Sequence, residues 1–424
     1  MSPRQQKIAY VIAYPQRMAG ANRSLMELIV NLPPSVRPEV VIVDEGLVAD
    51  AYREVGIEPH ILRPAGALGE FGKASLKWGR AKRLQVSVTE LLPYTWAFRK
   101  WLKKHQIDLV HVNDPRGAIL AGPATKSLRI PLIGHLRGTK AVGGIYWEAF
   151  ERLCDRIITV CDAIHSDFSP VGRAKAVTVY NGTRCEYPKA RPMPWLRSLR
   201  EQGVVVVSCF ASVTPFKGIH HLLGATALLN ATGLGQRFAV LCIGDIPSQD
   251  SRYFQWLLDE CTRLGVSNWT FVGWQSEPFT FYNYTDISVL PTAANEFLRY
   301  AGSYVRIVGN EGFPRTNLEA MCYGLPTVGT RLAGVPEQIV HGQTGLVVEP
   351  SDPVALAAAL SELVMSEDKR RQMGIAGKQR VRAVFSTRAY VAGVLKVYEE
   401  LLHLSLGTVL SVPPSPCGCE EAVA

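Results

Sequence analysis

The stretch NEGFPRTNLEAMCYGLPTVGT, residues 310–330, carries two glutamates eight positions apart, Glu311 and Glu319, on either side of a Gly-Phe-Pro turn. Pro314 suits the first turn of a helix, where its missing N–H would have no intrahelical partner. The apolar spacing predicts a helix from there to about Tyr323, ending in Gly-Leu-Pro. The free N–H groups and positive dipole end of such a helix point back toward Phe313, which is a place to hold phosphate. Carboxylates accept hydrogen bonds from sugar or ribose hydroxyls. A diphosphate with a sugar at each end therefore fits between Glu311 and Glu319.

Outward from this stretch, Val- and Ile-rich runs alternate with helical ones along the chain. In the first half the strand candidates are IAYVIAY, EVVIVDE, DLVHVND, PLIGHLR, RIITVCD and AVTVYNG. In the second half they are VVVVSCFAS, FAVLCIGD, TFVGWQ, ISVLPT, PTVGT and GLVVEP. Between them YPKARPMPWL, with three prolines in seven residues, reads as a hinge. Continuous apolar strands alternating with helices imply parallel sheets covered on both faces, here two in tandem with a cleft between. Ligands of such folds bind at the carboxyl ends of the strands. Neither G-x-G-x-x-G after the first strand nor G-x-x-x-x-G-K-[ST] is present, which argues against dehydrogenase and common nucleotide triphosphatase chemistry.

The 424 residues allow two cores, and a hydrophobic content of 47% with 20% charged residues is that of an ordinary globular protein. No apolar run approaches the roughly 18 residues that span a bilayer. The start, MSPRQQKIAYVIAYPQRMAG, reads as a first strand and not as a signal peptide. A cytoplasmic location is the expectation. Seven cysteines, Cys185 and Cys322 among them, are scattered singly and read as buried thiols. Cys417 and Cys419 sit in a tail with no second Cys or His cluster. No disulfide framework and no zinc site are expected, and the nine histidines show no metal-ligand spacing. Charge is uneven: residues 1–195 hold 28 Lys or Arg against 17 Asp or Glu, the remainder 18 against 20. The first half is expected to face something anionic.

With the glutamate block as anchor, EGFPRTNLEAMCYGLPTVGTRLAGVPEQIVHGQTGLVVEP resembles the E-x7-E block of the retaining GT-B glycosyltransferases, the large family four that includes bacterial lipid-linked mannosyltransferases and sucrose synthases. AGANRSLMEL, LVHVND, GHLRG, ITVCDAI, VYNGT, VTPFKG and FVGW echo the same family in order, so the resemblance runs to about residue 404. It implies an α/β fold of two Rossmann-like doubly wound domains facing a cleft. The expected boundaries are an acceptor-binding domain at 1–190, a donor-binding domain at 191–384, a helix at 385–404 crossing back to the first domain, and a disordered tail at 405–424. It also implies transfer of a sugar from a nucleoside diphosphate sugar to an acceptor hydroxyl with retention. The leaving phosphate helps deprotonate the acceptor on the same face, so no acid–base carboxylate pair of the glycosidase kind is needed.

By the same resemblance, Glu319 binds the ribose hydroxyls, Glu311 holds hydroxyls of the transferred sugar, and Lys217 neutralises the phosphates. His135 faces the transferred sugar from the first domain. Gly20 lets the backbone approach the diphosphate, and Gly312, Phe313, Arg315 and Thr316 lie near sugar and diphosphate. Gly273 lies in the nucleobase loop. No cofactor and no metal are implied, the donor being a substrate. Asp114 reads as a helix N-cap.

Two departures stand out. Where the family has an arginine five residues before the lysine, this chain has Ser212, which lacks the bidentate charge of a guanidinium; Arg315 is the candidate replacement. An insertion, TAANEFLRYAGSYVRIVGN, separates Pro291 from Glu311 and reads as a lid or a surface loop. These departures keep open a second reading, a weakened protein that binds nucleotide sugar or a partner without turnover, and a third, an epimerase or phosphorylase on the same fold. Residues 70–105 hold nine Lys or Arg against two Glu, with Trp78, Trp96 and Trp101 interleaved. Without a nucleic-acid-binding motif, this reads as a surface for anionic headgroups, suiting a glycan or lipid-linked acceptor.

Overall fold

The computed structural model describes residues 4–16, 18–69, 78–139, 144–185, 191–309 and 311–407. Two parallel sheets organise the chain. The first has seven strands in the spatial order His60–Ile61, Val36–Ile42, Gln6–Ile12, Leu109–Val112, Leu132–Leu136, Arg156–Thr159, Ala176–Thr178. Ile8, Ala9, Tyr10 and Val11 are all buried, as expected of a strand covered on both faces. The second has six, in the order Trp269–Gly273, Phe238–Ile243, Val205–Phe210, Ile287–Leu290, Thr327–Thr330, Gly345–Val348.

Each sheet starts in its middle, winds to one edge, then returns and winds to the other. Strand order therefore reverses between Gln6–Ile12 and Leu109–Val112, and again between Val205–Phe210 and Ile287–Leu290. At those points the loops leaving adjacent strands diverge and open a crevice. This is the two-domain doubly wound architecture that the strand pattern predicts.

Local signals set the helices. Asp114 caps Pro115–Leu128 by accepting from the Gly117 N–H at 2.8 Å, with Pro115 in the first position. Asp352, Ser366 and Ser386 cap the three C-terminal helices, Pro353–Met365, Glu367–Val384 and Thr387–Leu402, in the same way. The last of these lies against the first sheet: Tyr390, Val391, Val394, Leu395 and Tyr398 share a core with Ile8, Tyr10 and Ile12.

The structure corrects one expectation and gives form to another. Cys185 and Cys322 form a disulfide, with Cα atoms 5.0 Å apart, instead of standing as isolated thiols. They are 137 residues apart, so only the packing of the helix Arg315–Cys322 against the end of the first domain brings them together. The insertion, expected as a lid or a surface loop, has regular structure. Glu296–Tyr300 and Ser303–Ile307 form an antiparallel hairpin, turned by Ala301 and Gly302 at positive φ. Its Leu298 and Tyr300 pack on the second core, and Tyr300 lies against Tyr253. Lys73, Lys77, Cys417 and Cys419 lie outside the described residues.

Candidate active site

The carboxyl ends of Val205–Phe210 and Ile287–Leu290, on either side of the second sheet's reversal point, carry the predicted residues. Beyond Phe210, a 3₁₀ turn at Pro215–Lys217 presents the lysine. The turn closes through Gly218 at φ +66, where a Cβ would stand 1.9 Å from the Pro291 carbonyl oxygen, so no other residue fits. Phe216 O accepts from Ala293 N at 2.9 Å, locking this turn to the segment that leaves Leu290.

Lys217 Nζ forms an ion pair with Glu311 Oε1, the side chains being 19% and 9% exposed. The Thr292 hydroxyl donates to the same oxygen at 3.3 Å. Helix Arg315–Cys322 follows, with Pro314 at its cap position, so the helix begins one residue after the predicted start. Asn317 and Gln338 bond each other at 2.9 Å, and Gln338 Nε2 donates to Pro314 O at 2.8 Å, which fixes the helix N-terminus. Glu319 accepts from the Tyr282 hydroxyl at 3.2 Å and lies 3.6 Å from Arg315 Nε. Thr316 is half-buried at the start of this helix.

Arg315 crosses to the first domain. Its Nη1 donates to Ser24 Oγ and to Gly182 O, both at 3.3 Å. A Cβ on Gly20, at the start of helix Gly20–Ile29, would touch Arg315 Cδ at 3.9 Å, an ordinary contact. Gly20 is thus near Arg315 and is not sterically compelled to be glycine. Gly312 is compelled: a Cβ there would lie 2.4 Å from Arg137 O and 2.9 Å from Gly138 Cα. Arg137 is anchored by Asn113 at 2.8 Å, Asn181 at 2.6 Å and the Tyr390 hydroxyl at 2.9 Å. Glu337 closes the domains further, accepting from the Asp162 and Ala163 N–H groups at 2.9 Å each.

Three predicted residues have their side chains engaged within the protein. Phe313 turns its ring into the core, 5.1 Å from Tyr180 and 5.3 Å from Phe385, leaving only its backbone for a ligand. Ser212 donates its hydroxyl to Asp245. His135 is fully buried, not spread on an open wall: Nδ1 meets His111 Nε2 at 3.1 Å, and Nε2 has no partner among the described residues. Burial, with the Arg137 charge beside them, holds both imidazoles well below the usual histidine range and therefore neutral. Gly273 ends its strand at φ +78 and accepts from Gly244 N at 3.0 Å.

The whole arrangement places a cation, two carboxylates and a helix N-terminus at one reversal point, with backbone of the first domain pressed against Gly312. Sequence profiles agree with this geometry. One described as "Glycosyl transferases group 1" matches residues 198–380, and one described as "Glycosyltransferase Family 4" matches residues 46–187. The chain belongs to the group 1 glycosyltransferases.

Among curated relatives, the capsular polysaccharide biosynthesis glycosyltransferase CapM of Staphylococcus aureus is 26% identical over 205 residues, 48% of each protein. The uncharacterized glycosyltransferase MJ1178 of Methanocaldococcus jannaschii is 25% identical over 312 residues, 71% of this chain and 77% of that protein. The match thus spans about half the length of CapM. Of solved structures, Anabaena HepE in complex with UDP and glucose superposes with a TM-score of 0.73 at 18% identity, covering 93% of this chain and all of that one. At that identity the likeness is one of fold, the GT-B arrangement of a group 1 glycosyltransferase.

Sequence reasoning missed the partners that hold the site residues: Thr292 on Glu311, Tyr282 on Glu319, Asp245 on Ser212. Thr292 and Asp245 are the last residues of the strand candidates ISVLPT and FAVLCIGD, at the carboxyl ends of the strands where ligands gather. That position was the available signal.

Proposed function

We propose that this glycosyltransferase moves a sugar from a nucleoside diphosphate sugar to an acceptor hydroxyl with retention at the anomeric carbon. The observation that carries the reading is the Lys217–Glu311 pair set just before the helix that bears Glu319, at the reversal point of the second sheet. Glu319, oriented by Tyr282, takes the ribose hydroxyls. Glu311, steadied by Thr292, takes hydroxyls of the transferred sugar. Lys217 neutralises the departing phosphate, exchanging part of its contact with Glu311 for one with the donor. Arg315 and the N-terminus of Gly20–Ile29 add positive potential on the opposite side, a preorganised arrangement for developing phosphate charge. Backbone at Gly312, Phe313 and Thr316 borders the sugar and diphosphate, and Gly273 borders the base. His135 backs the sugar from the first domain through its unbonded Nε2. Neutralisation by lysine and arginine is the basis for proposing transfer without a metal.

We assign the donor to the second domain and the acceptor to the first. For the acceptor we propose a glycan or lipid-linked glycan of the cell envelope or an exopolysaccharide, assembled on the cytoplasmic side of a membrane. CapM, by its name, supports the glycan class. No helix among the described residues is long and apolar enough to cross a bilayer. The membrane-facing surface would be the helical segment Arg80–His105. Leu84, Val88, Leu92 and Trp96, spaced four apart, are all exposed, Trp96 by 66%, and Arg80, Lys82, Lys100, Lys103 and Lys104 are exposed around them. Trp101 belongs to the core, so the apolar stripe and not all three tryptophans carries this surface. Nucleic acid is not part of the proposal.

The Ser212–Asp245 bond favours the second reading, a protein that binds the donor with little turnover, because Ser212 adds no charge to the phosphate site. The two readings separate in one experiment. The protein is incubated with a panel of nucleoside diphosphate sugars and lipid or glycan acceptors, nucleoside diphosphate release is measured, and the product's anomeric configuration is read by NMR. Release with a retained anomer supports transfer. Donor-induced thermal stabilisation without release supports the second reading, and an inverted anomer refutes the retaining assignment.

A further inference from the structure

Away from the Lys217–Glu311 pair, the fold collects three side chains that the sequence separates. His220 and His221 are neighbours in the first turn of helix Ile219–Ala231, and Glu296 opens the inserted hairpin. His220 Nε2 lies 2.9 Å from Glu296 Oε1, and His221 Nε2 lies 2.8 Å from Oε1 and 3.0 Å from Oε2. One donor atom from each residue falls within 4.8 Å of the other two. The histidine side chains are only 7% and 13% exposed, and their rings stand 4.1 Å apart. The far side of His220 is also fixed, with Nδ1 2.8 Å from the hydroxyl of fully buried Tyr253.

We propose that His220, His221 and Glu296 form a zinc site that clips the inserted hairpin to the helix following Lys217. Two imidazole nitrogens and a carboxylate oxygen are a zinc donor set, with bonds of about 2.0–2.2 Å and room for a water as fourth ligand. Tetrahedral geometry at those lengths sets the donors roughly 3.3 Å apart. The present spacings need to widen by about half an ångström, which side-chain torsions supply. Tyr253 holds the outer nitrogen of His220, the partner that keeps a ligating imidazole in the right tautomer and orientation.

A second group, Glu39 with His60 and His105, is looser: His105 Nδ1 is 4.0 Å from a carboxylate already paired with Arg37. It serves as the control. The proposed clip ties the chain on both sides of the crevice, since His220 lies three residues after Lys217 and Glu296 lies on the segment leading to Glu311. It is independent of which donor the enzyme uses.

The test uses untagged full-length protein carrying Cys417→Ser and Cys419→Ser, so that the tail thiols do not contribute. After chelator treatment, zinc is titrated back, bound metal is counted by elemental analysis, and the melting temperature is followed. Cobalt(II) is titrated in parallel to read coordination from its visible spectrum. One zinc per chain, a zinc-dependent rise in melting temperature and a tetrahedral cobalt spectrum are expected. Glu296→Gln and His221→Gln should each weaken zinc binding at least 10–100-fold, as loss of a supporting contact alone does, while Glu39→Gln leaves it unchanged. The proposal is overturned if the unsubstituted site binds no zinc and gives no tetrahedral cobalt spectrum. It is equally overturned if binding follows Glu39→Gln, or survives both Glu296→Gln and His221→Gln.

Discussion

Replacing Gly312 with alanine is a small change whose consequence follows from two distances. The added methyl would stand 2.4 Å from Arg137 O and 2.9 Å from Gly138 Cα, both backbone atoms that cannot rotate away. Ordinary contact begins near 3.4 Å, so the Glu311 loop and the Arg137 segment must part by about 1 Å. Overpacking of this kind costs on the order of 1–3 kcal/mol of stability. The effect on the reaction should be larger in proportion, because Glu311 and Gly312 are neighbours, and a displacement of about 1 Å at reacting groups costs roughly 100-fold in rate. That corresponds to about 2.7 kcal/mol of transition-state stabilisation. The assay is kcat/KM for nucleoside diphosphate release, with circular dichroism and melting to show that the variant is folded. Gly79→Ala, where a Cβ meets nothing within 4 Å, is the control. A folded Gly312→Ala enzyme with kcat/KM within about twofold of wild type would refute the idea that this interdomain contact sets the site's geometry.

Four further outcomes are expected. Lys217→Ala leaves Glu311 nearly buried with only Thr292 beside it and should cost about 2 kcal/mol of stability; Lys217→Ala with Glu311→Gln should cost about 1–2 kcal/mol less than the two single changes summed, and strict additivity in urea melts would show that the pair does not interact. Reducing Cys185–Cys322, which closes a 137-residue separation, should lower the melting temperature by removing a constraint worth up to about 5 kcal/mol in the chain-entropy picture, and an unchanged melt in Cys185→Ser/Cys322→Ser would contradict the bond. Burial raises the Asp114 carboxyl from 3.8 to about 6, the Gly117 N–H offsetting part of this; a raised folded pKa means that the stability contributed is full below about pH 4 and lost as pH rises through about 6, so Asp114→Asn should be more stable than wild type at pH 7 by up to about 3 kcal/mol and equal to it near pH 3, and a pH-independent difference would exclude this linkage. Finally, the protein should pellet with anionic but not neutral liposomes at low salt, each exposed Lys or Arg contributing on the order of 1 kcal/mol; neutralising Arg80, Lys82, Lys100, Lys103 and Lys104 together should abolish this, and wild-type indifference to anionic liposomes would point to a soluble acceptor.

Much of the architecture was legible because it is written in local order. Apolar strands with no polar alternation require two-sided cover, and that requirement forces parallel sheets whichever residues fill them. Lys217, Glu311 and Glu319 were legible for a related reason: each stands at a fixed offset from a strand end or helix start, so the fold carries it to the carboxyl end of the second sheet. Contacts between distant segments were not legible. Nothing in the spacing of Cys185 and Cys322, or of His220 and Glu296, reveals that packing will bring them together. The hairpin is a weaker signal: FLRY and SYVR flank an Ala-Gly turn, but its two strands are five residues each and mostly polar or aromatic. His135 shows the limit of a motif. The strand Leu132–Leu136 placed it, but the bond to His111, the charge of Arg137 and the last helix of the chain decide its burial and protonation.

In the proposed function one nucleotide lies between Glu319 and Lys217. Its most direct test is a crystal structure of the protein with the nucleoside diphosphate that stabilises it most in a thermal-shift panel. Ribose hydroxyls are expected within about 2.6–3.2 Å of the Glu319 carboxylate, and the terminal phosphate in contact with Lys217 beside the Arg315 guanidinium. A nucleotide bound elsewhere, or one whose ribose leaves Glu319 bonded to Tyr282 alone, would contradict it.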